Sequence, residues 1–98
     1  MKKFAYILMD THNDPAIHKA EFNTKFVNIS VCTVRNFEEA KKKTINLWQE
    51  GYGAIELCGA LGRNRALELI SLTKSEVAIG YVTNESEQNE LIARFWRN

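Results

Sequence analysis

The sequence predicts an α/β fold: one domain built on an open, parallel, four-stranded sheet with helices on both faces, flavodoxin-like or Rossmann-like. Three observations predict it. Apolar runs suited to buried strands recur at residues 4–9, 53–58 and 77–82. Amphipathic stretches with helix start and stop signals alternate with such runs. About a quarter of the 98 residues goes to each strand–helix pair, the repeat of a βα fold.

The chain is of a size at which a single core just becomes self-sufficient. Its 45% hydrophobic and 26% charged residues are those of an ordinary globule and exclude a disordered chain. A net charge of +1 gives no field to collect nucleic acid or anionic lipid, so neither is expected as a partner. The apolar run after Lys3 stops at Asp10, short of the roughly 7–15 residues of a signal-peptide core. No run approaches the ~20 residues of a membrane span, and a cytoplasmic location is expected. Cys32 and Cys58 are then free thiols, too few for a four-thiolate zinc site.

Residues 4–9 are apolar without two-residue alternation, as in a central strand covered on both faces. Asp14 and Pro15 follow a polar turn; a carboxylate cap and then proline, whose missing donor costs nothing there, predict a first helix ending near Asn23. Residues 26–34 alternate, with Val27, Ile29, Val31 and Thr33 on one face, as in a half-covered edge strand. Residues 36–39 form a capping box, and Phe37, Ala40, Thr44, Leu47 and Trp48 repeat at helical spacing up to a stop at Gly51. Glu38–Lys42 and Glu39–Lys43 are i,i+4 pairs in the favourable order, each worth about 0.2–0.5 kcal/mol.

The third strand, residues 53–58, runs into a glycine turn and a helix marked by Ala66, Leu69, Ile70 and Thr73. Residues 77–82 form the fourth strand, again apolar on both faces. A second capping box at residues 84–87 opens a last helix with Leu91, Ile92, Phe95 and Trp96 on one face. Right-handed crossovers favour strand order 2-1-3-4; a half-barrel is the alternative. An edge strand apolar on both faces needs cover, from the last helix or a second subunit, and a homodimer is expected.

In open α/β sheets, ligands bind beyond the carboxyl ends of the strands where strand order reverses. Here that is between strands 1 and 3, where residues 10–18 meet residues 56–65. Glu56 lies on the strand face opposite Ile55 and Leu57; it reads as a general base, a ligand clamp or half of a structural ion pair. Cys58 precedes a glycine turn and a helix, where amides and the dipole favour a nucleophilic thiol; a small core residue is the plainer reading. The Cys-x5-Arg loop of cysteine phosphatases is excluded, because Asn64 holds the arginine position between Arg63 and Arg65. Those arginines oppose the helix dipole by about 0.3–1 kcal/mol each unless they and the amides of Gly59 and Gly62 hold an anion; otherwise they point into solvent. No Walker lysine and no third glycine of a dinucleotide fingerprint is present, and no cofactor is indicated.

On the other side, Asp14 and His18 form an i,i+4 pair that orients the imidazole toward the site or toward solvent. Asp10, Thr11 and His12 are similar to the Asp-x-His-x-x-Gly turn of cobalamin-binding domains, but Pro15 stands at the glycine position. A lone Asp10, His12, Asp14 pattern is too common in polar turns to indicate a metal. The catalytic candidates are therefore Glu56, Cys58 and His18. Asp10, His12, Asp14, Gly59, Gly62, Arg63 and Arg65 are candidates for binding a small molecule, an anion among the options. The alternative is a non-enzymatic oligomerising module whose glycines serve only the backbone.

Three segments, Asp14-Pro15 with His18, Phe37-Glu38-Glu39-Ala40, and Ala54 to Gly59 with Gly62, carry a family resemblance. The chain resembles small bacterial proteins classed as a domain of unknown function. The resemblance covers most of the chain and implies a compact α/β fold with the same residues at the site. It brings no known activity.

Overall fold

Strand β1 (Lys2–Met9) lies at the centre of the sheet. In the computed structural model, which describes residues 1–97, it pairs in parallel with β3 (Val27–Val34) on one side and β4 (Ala54–Leu57) on the other. β5 (Ala78–Tyr81) joins β4 in parallel, and a short β2 (Ala20–Asn23) runs antiparallel along the outer edge of β3. The order is β2-β3-β1-β4-β5. The four parallel strands keep the expected relative order, but the sheet is five-stranded and mixed.

The added strand replaces the expected first helix. Asp14 and Pro15 do start a turn, closed by the amides of Ile17 and His18 on the Asp14 carbonyl at 3.0 and 2.8 Å. It stops there because the next residues alternate: Ala20 and Phe22 are apolar, Glu21 and Asn23 polar, which suits a strand and gives a helix no apolar stripe. Thr24 then closes a hairpin, its Oγ1 accepting the Phe26 and Val27 amides at 3.2 and 3.1 Å. β3 is consequently an interior strand, not an edge.

Loss of that helix decides how the faces are covered. α1 (Phe37–Gln49) carries the chain from β3 past β1 to β4, and α2 (Gly62–Leu72) carries it on to β5. Two right-handed crossovers in the same direction place both helices on one face, and they contact each other there. Helices on both faces were expected; α1 and α2 cover only one. Between them and the sheet lies the core of Ala5, Ile7, Cys32, Val34, Ala40, Leu47, Ile55, Leu57, Ala66 and Leu69. The side chains that alternate with these point the other way: Phe4, Tyr6 and Leu8 on β1, Ile29 and Val31 on β3, Ala54 and Glu56 on β4.

Asn36 caps α1, its Oδ1 accepting the Glu39 amide at 2.9 Å. The reciprocal arm of the capping box goes one residue further back, from the Glu39 carboxylate to the Arg35 amide at 2.8 Å. Glu39 is thereby taken from Lys43, and Glu38 pairs with Lys41 at i,i+3 rather than Lys42. Gly51, at φ +90°, ends the helix as expected. After β5 the chain makes one turn of 3-10 helix (Ser86–Gln88) and then α3 (Asn89–Trp96), none of whose residues is buried. Among the described residues no helix is long and apolar enough to cross a membrane.

Candidate functional site

Cys58 follows β4 directly, and its amide donates to the Ile7 carbonyl at 3.0 Å, so the β1–β4 ladder extends to the thiol. Its Sγ accepts the Met9 N–H at 3.2 Å. The side chain is half-buried and, by alternation, shares the uncovered face with Glu56. Above it a cleft of about 970 Å³ opens between the carboxyl ends of β1 and β4 and the side of α3 that carries Ile92 and Trp96. That is the upper end of the ~300–1,000 Å³ range of small-molecule sites. Tyr6, Leu8, Met9, Val82, Ile92 and Trp96 supply apolar walls, and Asp10, Asn13, Arg35, Cys58 and Asn84 the polar groups.

Most of those polar groups are committed to other partners. The Asp10 carboxylate accepts the His12 amide at 3.0 Å and contacts the His12 Nδ1 at 3.2 Å. The amide first, and the imidazole second, hold its carboxyl below the usual carboxylate range. Arg35 gives Nε and Nη2 to Glu39 at 3.0 and 2.6 Å, so its charge is answered within the chain. Asn13 spends its side-chain amide on the carbonyls of Leu8 and Val34. Burial, then the neighbouring Cys58 and Glu56, push the Tyr6 phenol up, which keeps it a neutral donor.

Glu56 lies one step along β4 from the cleft, in register between Tyr6 and Gly80. Its side chain folds flat over Gly80. A Cβ built on that glycine would lie 2.8 Å from Glu56 Oε2 and 3.1 Å from Oε1, so the missing side chain is the space the carboxylate occupies. Among the described residues it has no hydrogen-bond or salt-bridge partner.

Of the residues singled out from the sequence, Asp10, Cys58 and Gly59 line the cleft. His12 stands at its rim on Asp10, with its side chain 93% exposed. Asp14 and His18 meet differently from a carboxylate–imidazole pair. The Asp14 backbone amide donates to His18 Nδ1 at 2.8 Å, while the Asp14 carboxylate takes the Ala16 amide. Gly62 begins α2 at φ +77°. Arg63 is exposed, and Arg65 lies over the Phe37 ring at 5.5 Å with Nη1 on the Ala60 carbonyl, so neither guanidinium lines the cleft. No group of three or more His, Cys, Asp or Glu among the described residues is placed to hold a metal.

Residues 2–97 match a family of unknown function (DUF6506). The chain belongs to that family. No curated protein and no solved structure matches it.

Within this family member a second groove of about 770 Å³ follows α1 on the helix-covered side. Its Lys19, Arg35, Lys42 and Lys43 face Asp14, Glu21, Glu39 and Glu50, an even balance that selects no ligand charge. The cleft residues that sequence reasoning missed are Tyr6, Leu8, Met9, Arg35, Val82, Asn84, Ile92 and Trp96. Strand geometry puts Tyr6 and Leu8 on the face opposite Ala5 and Ile7, but residues 4–9 are apolar throughout, so the sequence carried no signal for which face stays open. Trp96 and Arg35 join the cleft only through the path of distant segments.

Proposed function

We propose that the protein binds a small, largely apolar, uncharged molecule in the cleft at the carboxyl ends of β1 and β4, with Cys58 contacting it from the floor. The observation that carries this reading is the placement of the two thiols: Cys58 faces a ligand-sized cleft, whereas Cys32 is 5% exposed in the core. The polar lining argues against an anion. Asp10 is a carboxylate, Arg35 is answered by Glu39, and Arg63 and Arg65 lie elsewhere. Binding, rather than acid–base catalysis, is what the arrangement supports, because among the described residues neither imidazole is bonded to the thiol. Free thiols suit a reducing compartment, and a cytoplasmic location accords with this reading.

The test uses Trp96 as reporter in a Trp48→Phe background, titrated with 1-octanol and, separately, octanoate. A saturable change in Trp96 emission is expected with 1-octanol, weaker with octanoate, and lost when Val82→Phe fills the cleft. No saturable response, or one that survives Val82→Phe, would overturn the reading.

A further inference from the structure

The uncovered face of the sheet has a shape that bears on what covers it. Its β2–β3–β1 half carries bulky side chains, Phe22, Ile29, Val31, Phe4, Tyr6 and Leu8. Its β4–β5 half carries Ala54, Ala78 and Gly80, with Glu56 pressed flat over the glycine. One half is a ridge and the other a trough. Between the edges the face is almost without charge, Glu56 being its one central carboxylate and Lys2 a marginal cation.

We propose that this face binds the same face of a second copy of the chain, ridge into trough. The twofold axis lies between the two sheets and runs along the strands, between β1 and β4. Such an axis turns the face over and exchanges its halves, so the bulky rows on β1 and β3 meet the small residues on the partner's β4 and β5, and Phe22 on β2 lies at the rim beside the partner's β5. An isologous interface must be complementary to itself, and this face is.

Size and polarity agree. Phe22 is 52% exposed, Phe95 74% and Trp96 69%; at roughly 150–250 Å² per aromatic these three alone leave several hundred Å² open. Leu8, Val82, Leu91 and Ile92 add to that, as do the half-buried Phe4, Tyr6, Ile29 and Val31. The total approaches the ~800 Å² per partner of a standard stable interface, whereas a monomer seldom exposes so large an apolar patch. Because Tyr6 and Glu56 are in register on either side of the axis, each Glu56 carboxylate faces the partner's Tyr6. A neutral phenol donates there to a carboxylate that has no partner among the described residues of its own chain. The apolar face of α3, nowhere buried in the monomer, continues this surface at the carboxyl end, where the cleft beside Cys58 stays open to solvent beyond the contact of Tyr6 with the partner's Glu56.

Sedimentation equilibrium of the purified full chain tests the proposal, with Ala78→Glu and Phe22→Glu as separate variants; both positions are exposed in the monomer, and far-ultraviolet circular dichroism checks their fold. Wild type is expected at twice the 11.3 kDa chain mass. Ala78→Glu should raise the dimer dissociation constant at least about thirty-fold, the size of a hot-spot loss, and Phe22→Glu at the rim and Tyr6→Phe should raise it by less. A monomeric wild type, a dimer indifferent to both folded glutamate variants, or a larger species grown through the β2 and β5 edges would overturn the proposal.

Discussion

Replacing Gly80 by alanine is a local perturbation whose size follows from the structure. The new Cβ would lie 2.8 Å from Glu56 Oε2, 3.1 Å from Oε1 and 3.2 Å from Cδ, so the carboxylate must move by several tenths of an ångström. The obstruction is the far end of a flexible side chain and not backbone. Glu56 therefore yields by a change of torsion at about 0.5–1.5 kcal/mol. The backbone at Gly80 is not in the left-handed region, and alanine there returns about 0.4–1 kcal/mol through the unfolded chain. Gly80→Ala should then change stability by less than about 1 kcal/mol in either direction. In a Glu56→Ala background the same change should stabilise by about 0.4–1 kcal/mol, leaving a coupling of about 0.5–1.5 kcal/mol between the sites. Urea denaturation of the four proteins at neutral pH reads the cycle. A single-mutant loss above about 2 kcal/mol, typical of breaking a fixed buried network, would refute the picture of a carboxylate held within its own chain only by the space over a glycine. Additive effects would refute it equally.

Other consequences are open to the same methods. Thr44 is fully buried on α1 with its Oγ1 unpartnered among the described residues, so Thr44→Val should stabilise by about 1 kcal/mol; a destabilised variant would show that the hydroxyl has a partner. Asn36→Ala removes the cap from α1 and should cost about 0.5–2 kcal/mol, read as a lower urea midpoint with an unchanged slope. The side chain of Arg35, then its amide, hold the Glu39 carboxyl below the usual range. The stability from that contact is present above the ordinary glutamate value of about 4.3 and is lost as pH falls through the lower folded value. Glu39→Gln should therefore flatten the acid limb of the stability–pH profile, and an unchanged limb would contradict the assignment. Tyr6 has the opposite sign. Its folded value lies above the ordinary one, so its contribution is present below about pH 10 and is lost as pH rises through the folded value. Tyr6→Phe should remove that alkaline loss.

Several elements were legible because their signals are local. Asn36 and Gly51 bracket α1 through a side-chain cap and a left-handed stop, and the long apolar run at residues 4–9 marked the central strand. The segment from Pro15 to Asn23 misled because a cap and a proline specify how a helix starts, whereas the period of the following residues specifies whether it continues. The alternation of Ala20, Glu21, Phe22 and Asn23 decided it. That one substitution of a strand for a helix made β3 interior and left the second face of β1 bare, although its residues are apolar on both sides. The candidate site was legible in part: the fold rule pointed to the ends of β1 and β4, where Asp10, Cys58 and Gly59 line the cleft. Arg63 and Arg65 looked like anion ligands by spacing alone. The direction of Arg65 is set by Phe37 and the Ala60 carbonyl, contacts with a distant helix and a tight turn that no local pattern encodes, and Arg63 is exposed.

The central claim is an accessible Cys58 at the floor of a ligand-sized cleft, and alkylation mapping tests it most directly. The folded wild-type chain is treated with iodoacetamide with and without 1-octanol, and both cysteines are followed by mass spectrometry. The account predicts that Cys58 is modified under native conditions while Cys32, buried under α1, is not, and that 1-octanol slows the reaction. Two thiols that stay unmodified until the protein unfolds, or a Cys58 rate indifferent to 1-octanol, would contradict it.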